Sequence, residues 1–126
     1  MSHTIIYDPE AHVIEIEIQG DLTLNVVREI VSEAVQVAKE KNCFLILNDM
    51  RKAVMKLSTL EIYESPKIMS DTSASSGLMM YKFKRAFVVA KDLEDYKFFE
   101  TVTANRAQYA KLFFDIDEAK KWLSGI

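Results

Sequence analysis

Cys43-Phe44-Leu45-Ile46-Leu47 is apolar at every position, and Ala86-Phe87-Val88-Val89-Ala90 and the shorter Leu112-Phe113-Phe114 share that character. None of the three alternates polar with apolar residues. A strand whose side chains are shielded from water on both sides is the kind that builds parallel sheets covered by helices. These runs therefore predict the centre of an α/β domain.

Working outward, the first strands flank Asp8-Pro9-Glu10-Ala11, where Pro9 pre-sets φ for a turn and Asp8 can bond back to the turn backbone. In the second of them Ile14, Ile16 and Ile18 alternate with Glu15, Glu17 and Gln19, which predicts a hairpin at a sheet edge with one wet face. Beyond Gly20-Asp21-Leu22, Thr23 is placed to cap a helix with the apolar stripe Val27, Ile30, Val31, Ala34, Val37 and Ala38, ending near Lys41-Asn42. A second helix opens at Ser58 and meets Pro66, which predicts a bend or a division in two. A third is expected from about Asp95 to Tyr109, with Tyr96, Phe99, Val102 and Arg106 along one side. The last starts at Asp115, with Glu118 placed for a capping-box-like pair and Ile116, Ala119, Trp122 and Leu123 as its apolar face. The order β-β-α-β-α-β-α-β-α predicts a mixed, mostly parallel sheet opened by an N-terminal hairpin and packed with about four helices. Residues 69–80, rich in Ser and Thr with Gly77 and three methionines, read as a frayed helix end or surface loop.

The 126 residues fit one domain spanning 1–126. Sixteen basic against nineteen acidic residues leave a net charge of −3, which disfavours nucleic acid and anionic membrane as partners. No apolar run approaches the roughly 20 residues of a membrane helix. Met1-Ser2-His3-Thr4 lacks the basic start of a signal peptide, so a cytoplasmic protein is expected. The single cysteine, Cys43, allows no internal disulfide and reads as a small buried hydrophobe. His3 and His12 have no carboxylates at metal-ligand spacing and read as structural. No nucleophile, base and acid come together in sequence, so neither an enzyme nor a cofactor is expected.

The element order, Gly20-Asp21-Leu22 before the first helix, and Leu45-Ile46-Leu47-Asn48-Asp49-Met50 closing the central strand together resemble the STAS domain family of anti-sigma-factor antagonists. The C-terminal half, with Phe98-Phe99-Glu100, Asn105-Arg106 and Leu112 to Ala119 followed by Trp122-Leu123, is similar to a divergent SpoIIAA-like branch of bacterial proteins. The resemblance implies a non-enzymatic signalling or protein-interaction module. Antagonists of the family are switched by phosphorylation of a serine in an Asp-Ser-Ser-Gly-type turn. Here that stretch is Lys56-Leu57-Ser58-Thr59: Lys56 stands at the Asp position, Leu57 at the phosphorylated serine and Thr59 at the Gly, while Ser58 matches the second serine.

On that basis a protein partner is expected at Asn48, Asp49, Arg51, Lys56, Ser58 and Thr59, where the central strand ends and the next helix begins. For Ser58, plain N-capping is the simpler account, although a phosphate there would face free backbone N–H groups with Lys56 nearby. Asp49 and Arg51 read equally as a turn cap with its cation. Tyr81-Lys82-Phe83-Lys84-Arg85 reads as a solvated strand entry rather than a nucleic-acid platform, because alternation separates the aromatics from the lysines. A homodimer through the first helix or the Ser-rich stretch fits the same class. The alternative is a carrier of a small apolar ligand, by a fold-level likeness to the CRAL-TRIO lipid carriers, with a cavity at Tyr63, Met69, Leu78, Met79 and Phe99 beneath residues 69–80.

Overall fold

The structure, a computed structural model, describes residues 3–90, 94–105 and 108–125. Five strands form one sheet: β1 (His3–Asp8), β2 (Val13–Leu22), β3 (Leu45–Met55), β4 (Lys84–Val88) and β5 (Tyr109–Phe113). Four helices accompany them: α1 (Leu24–Lys41), α2 (Thr59–Ser75), α3 (Glu94–Asn105) and α4 (Ile116–Ser124). The strands lie in chain order, β1-β2-β3-β4-β5, with β1 antiparallel to β2 and every other pair parallel. The predicted element order and mixed sheet are both present.

Chain-order strands have a direct consequence. Parallel crossovers share one hand, so a sheet that always advances in one direction puts all its connecting helices on the same side. α1, α2 and α3 accordingly bury Ile14, Ile16, Ile18, Ile46, Met50 and Phe87 in one core. Only the terminal α4 covers the other face, over Leu47, Ala86, Val88 and Phe113. Toward β1, α4 reaches as far as Val13 at the start of β2, and Ile6 on the same face is 63% exposed.

The central strand is longer than its apolar run. β2 continues to Leu22 and β3 to Met55, pairing Gly20 with Ala53 and Leu22 with Met55. The register shifts between Glu17 and Gln19, where Asp49 and Lys52 are the successive partners, so β3 carries an extra residue in the manner of a bulge. Asn48, Asp49 and Arg51 therefore lie within a strand and not in a loop after it. They do sit at the rim of the shorter strands, since Asp49 pairs with Val88, the last residue of β4.

Pro66 neither divides α2 nor ends it. Lacking an N–H, it leaves the Ile62 carbonyl without its helical donor, and the Ser65 hydroxyl donates to that carbonyl at 2.9 Å instead. The Ser-rich stretch is correspondingly not a surface loop in its first half. Helix α2 runs through it to Ser75, with Met69 and Ser73 buried against the sheet side. Burial there outweighs the weak helical preference of Ser and Thr. The helix ends in a Schellman arrangement: the Leu78 N–H donates to the Ser73 carbonyl at 2.9 Å, and that of Gly77, at φ 77°, to Ala74 at 3.0 Å.

Toward the C-terminus, α3 stops at Asn105 and Tyr109 already belongs to β5. β5 is an edge strand that alternates in burial, so its first residues lack the continuous apolar signature. Phe114, expected inside the strand, lies beyond it and is exposed. Arg106, expected on α3, lies outside the described residues. Asp115 caps α4 by accepting from the Asp117 N–H at 2.8 Å, rather than through a reciprocal pair with Glu118.

Candidate functional site

Strand alternation divides the surface expected around Asn48. Asn48 turns toward the three-helix side and is buried, its amide donating to the Ala86 carbonyl at 3.4 Å. Asp49 and Arg51 turn toward the α4 side and form a bidentate pair, with Nε and Nη2 of Arg51 at 2.9 and 2.8 Å from the carboxylate oxygens. The Arg51 backbone N–H adds a third bond to Asp49 at 3.2 Å. These hydrogen bonds hold the Asp49 carboxyl below the usual carboxylate range, and Asp49 in turn raises the guanidinium. Lys52 stands 3.7 Å from Glu17 and extends the charged strip along β3.

The Ser58 turn is a separate site. From Asp49 the strand continues six residues to Met55, about 20 Å of extended chain, before α2 begins on the opposite side of the sheet. Ser58 makes a full capping box: its hydroxyl accepts from the Glu61 N–H at 3.2 Å, and the Glu61 carboxylate accepts from the Ser58 N–H at 2.9 Å. Lys56 and Thr59 are exposed on either side, and the Lys56 N–H is tied to the Leu22 carbonyl at 3.0 Å. Leu57 turns inward. The next outward-facing residues are Leu60, 68% exposed, and Tyr63, 51% exposed, one helical turn apart. Lys56, Ser58 and Thr59 are thus brought together beside an apolar patch.

A third feature lies inside. A cavity of about 70 Å³ separates the sheet from α1, α2 and α3, lined by Ile18, Ile30, Met50, Leu57 and Phe87 with Asn48, Ser65 and Arg85. Arg85, expected at a solvated strand entry, is 6% exposed. It projects from β4 on the same face as Phe83 and Phe87, a face the alternation of the sequence already specified. Its Nη2 donates to Gln108 Oε1, and Gln108 Nε2 donates onward to the Pro66 carbonyl at 2.7 Å and the Ser70 hydroxyl at 2.8 Å. Burial lowers the guanidinium to about 10, and no carboxylate among the described residues pairs with it. Neither Arg85 nor Gln108 stands out in sequence, because their partners are 23 and more residues away.

The residues expected around an apolar cavity under 69–80 divide between the main core, where Leu78 and Phe99 pack against the cluster that holds Met69, and the surface. Met69 is buried in the main core, Leu78 packs at its margin, Tyr63 and Met79 are exposed, and Phe99 alone of the five lines the cavity. His3 bonds Glu33 at 2.7 Å and His12 bonds the Tyr7 hydroxyl at 2.8 Å. Cys43 is fully buried, and desolvation raises its thiol. Among the described residues no three His, Cys, Asp or Glu side chains converge as a metal site, and no helix is long and apolar enough to cross a membrane.

No family model matches the chain, and no curated protein matches it in sequence. Solved structures do match. The anti-sigma factor antagonist SpoIIAA in its unphosphorylated form superposes with a TM-score of 0.59 at 12% identity, covering 99% of this chain and all of that one. A DUF3478 family protein with a SpoIIAA-like fold, from Shewanella loihica PV-4, gives a TM-score of 0.58 at 19% identity, over 97% of this chain and 92% of its own. Matching both over nearly its whole length, this chain, with its one antiparallel pair, chain-order parallel strands and four helices among the described residues, has the SpoIIAA-like fold.

Proposed function

We propose that the protein is a non-enzymatic regulatory module that binds a protein partner through the start of α2. The observation that carries this reading is the exposed pair Leu60 and Tyr63 beside the Ser58 capping box. Two large apolar side chains on the first turns of a helix, rimmed by Lys56, Thr59 and Glu64, have the composition of a small interface with an apolar centre and polar margin. The fold shared with SpoIIAA, an anti-sigma factor antagonist, supports the same class. The charged strip of Asp49, Arg51 and Lys52 serves as a second contact on the opposite side of the sheet, where it steers association more than it holds the complex.

Pull-downs from an extract of the source cell test this. Wild type, Leu60→Asp, Ser58→Glu and Arg51→Glu are compared, each first shown to be folded by circular dichroism. A specific partner lost with Leu60→Asp and Ser58→Glu, and weakened with Arg51→Glu, is the expected result. A partner set identical for all four proteins refutes the surface.

A further inference from the structure

The internal cavity has an unusual lining: apolar on nearly every side, with one buried cation. Arg85 offers five N–H donors. Its Nη2 donates to Gln108, while the Nε–H is buried with no acceptor among the described residues. A buried donor left without a partner is costly, and native interiors seldom keep one without a reason. Asn48 lines the same space and spends one amide hydrogen on the Ala86 carbonyl, leaving its second for another acceptor.

We propose that this cavity binds a small organic carboxylate, with its anionic end on Arg85 and its hydrocarbon body against Ile18, Met50 and Phe87. The charge count favours a monoanion, since Arg85 is the only charged residue in the lining among the described residues. A carboxylate matches the guanidinium edge with two parallel hydrogen bonds, and a Nε–H in need of an acceptor is half of that fork. Size sets the class further. At roughly 10–15 Å³ for each water-sized position, about 70 Å³ holds a body of about six non-hydrogen atoms, which excludes long acyl chains. Val27, Met55 and Phe99 are the part-exposed members of the lining, and they mark the side by which such a molecule enters. The site is independent of the surface around Ser58 and does not rest on the regulatory reading.

The test titrates the whole protein with butyrate, butan-1-ol and butylammonium, followed by calorimetry and by the 1H–15N resonance of the Arg85 Nε–H. Butyrate is expected to bind saturably, to shift that resonance, and to bind at least about tenfold more tightly than butan-1-ol, with butylammonium weakest. Arg85→Met, which keeps the side-chain volume and removes the charge, is expected to abolish the preference for butyrate over the alcohol. Equal binding of acid and alcohol by the wild type overturns the proposal, as does a titration in which butyrate leaves the Arg85 resonance unmoved. The wild-type comparison decides the matter even if Arg85→Met fails to fold.

Discussion

Replacing Gln108 by leucine should be among the most damaging single changes on the three-helix side of the sheet. The Gln108 amide accepts from the buried Arg85 guanidinium and donates to the Pro66 carbonyl and the Ser70 hydroxyl. Leucine fills a similar volume but abandons all three bonds and strands a desolvated cation. Removing one partner of a buried charge costs about 3–5 kcal/mol. At roughly 4 °C per kcal/mol for a domain of this size, the expected fall in Tm is about 12 °C or more. Arg85→Met behaves differently. Burial holds the guanidinium at about 10, an offset from ordinary arginine worth about 3 kcal/mol against the charged form at neutral pH. Methionine releases that cost while losing the Gln108 bond and the Phe87 ring contact, so the net change should stay within about 1 kcal/mol. In the double variant the stranded charge is gone, and only the bonds to Pro66 and Ser70 are lost, about 1–2 kcal/mol. The cycle therefore predicts a coupling of about 2.5 kcal/mol between the two positions, measured by urea denaturation. Strictly additive effects, or a Gln108→Leu cost below about 1 kcal/mol, would show that Gln108 does not support the buried arginine.

Ser58→Ala and Glu61→Ala each break the capping box, and urea denaturation should show a loss of about 1 kcal/mol for the serine, with less than the sum for the pair. Ser65→Ala leaves the Ile62 carbonyl without a donor and should cost about 1–3 kcal/mol, whereas Ser65→Ala with Pro66→Ala restores a backbone donor and should recover most of it. Asp49 has a depressed carboxyl pKa, so its contribution is complete above about pH 4 and is lost as pH falls through the lowered value; Asp49→Asn should flatten the acid limb of the stability curve by no more than about 1 kcal/mol. Cys43, buried with a raised thiol, should resist a disulfide reagent at pH 8 in native protein and react at once in denaturant; rapid native reaction would contradict its burial.

The parts of the fold that were legible in the sequence are those where one residue's surroundings are set by its own neighbours. The Ile14-Ile16-Ile18 alternation, the Thr23 and Ser58 caps and the uninterrupted run at Leu45 each reported a local environment correctly. The misreadings share a cause, which is a partner distant in sequence. β3 extends through Arg51 and Lys52 because β2 lies alongside to receive its hydrogen bonds, and no property of those charged residues signals a strand. Helix α2 survives Pro66 and its run of serines because Met69 and Ser73 are buried. Arg85 was hidden by its type: a lone arginine after two lysines reads as surface, although Phe83 and Phe87 on the same face marked the direction of burial. Of the candidate surface, the cluster at Ser58 could be read locally, whereas the separation of Asn48 from Asp49 required knowing that both stand in a strand.

A sheet that only ever winds forward cannot cover itself. Three of its helices are committed to one side by the handedness of the chain, and a single nine-residue helix cannot shelter the rest of the other. Glu15, Glu17, Arg51 and Lys52 keep that uncovered ground wetted around Ile6 and Val54, and β1 forms the open margin beside it. Colloidal behaviour and folding stability are consequently governed by different residues in this molecule. Neutralising those few charges would make well-folded copies cling to one another long before any of them melted.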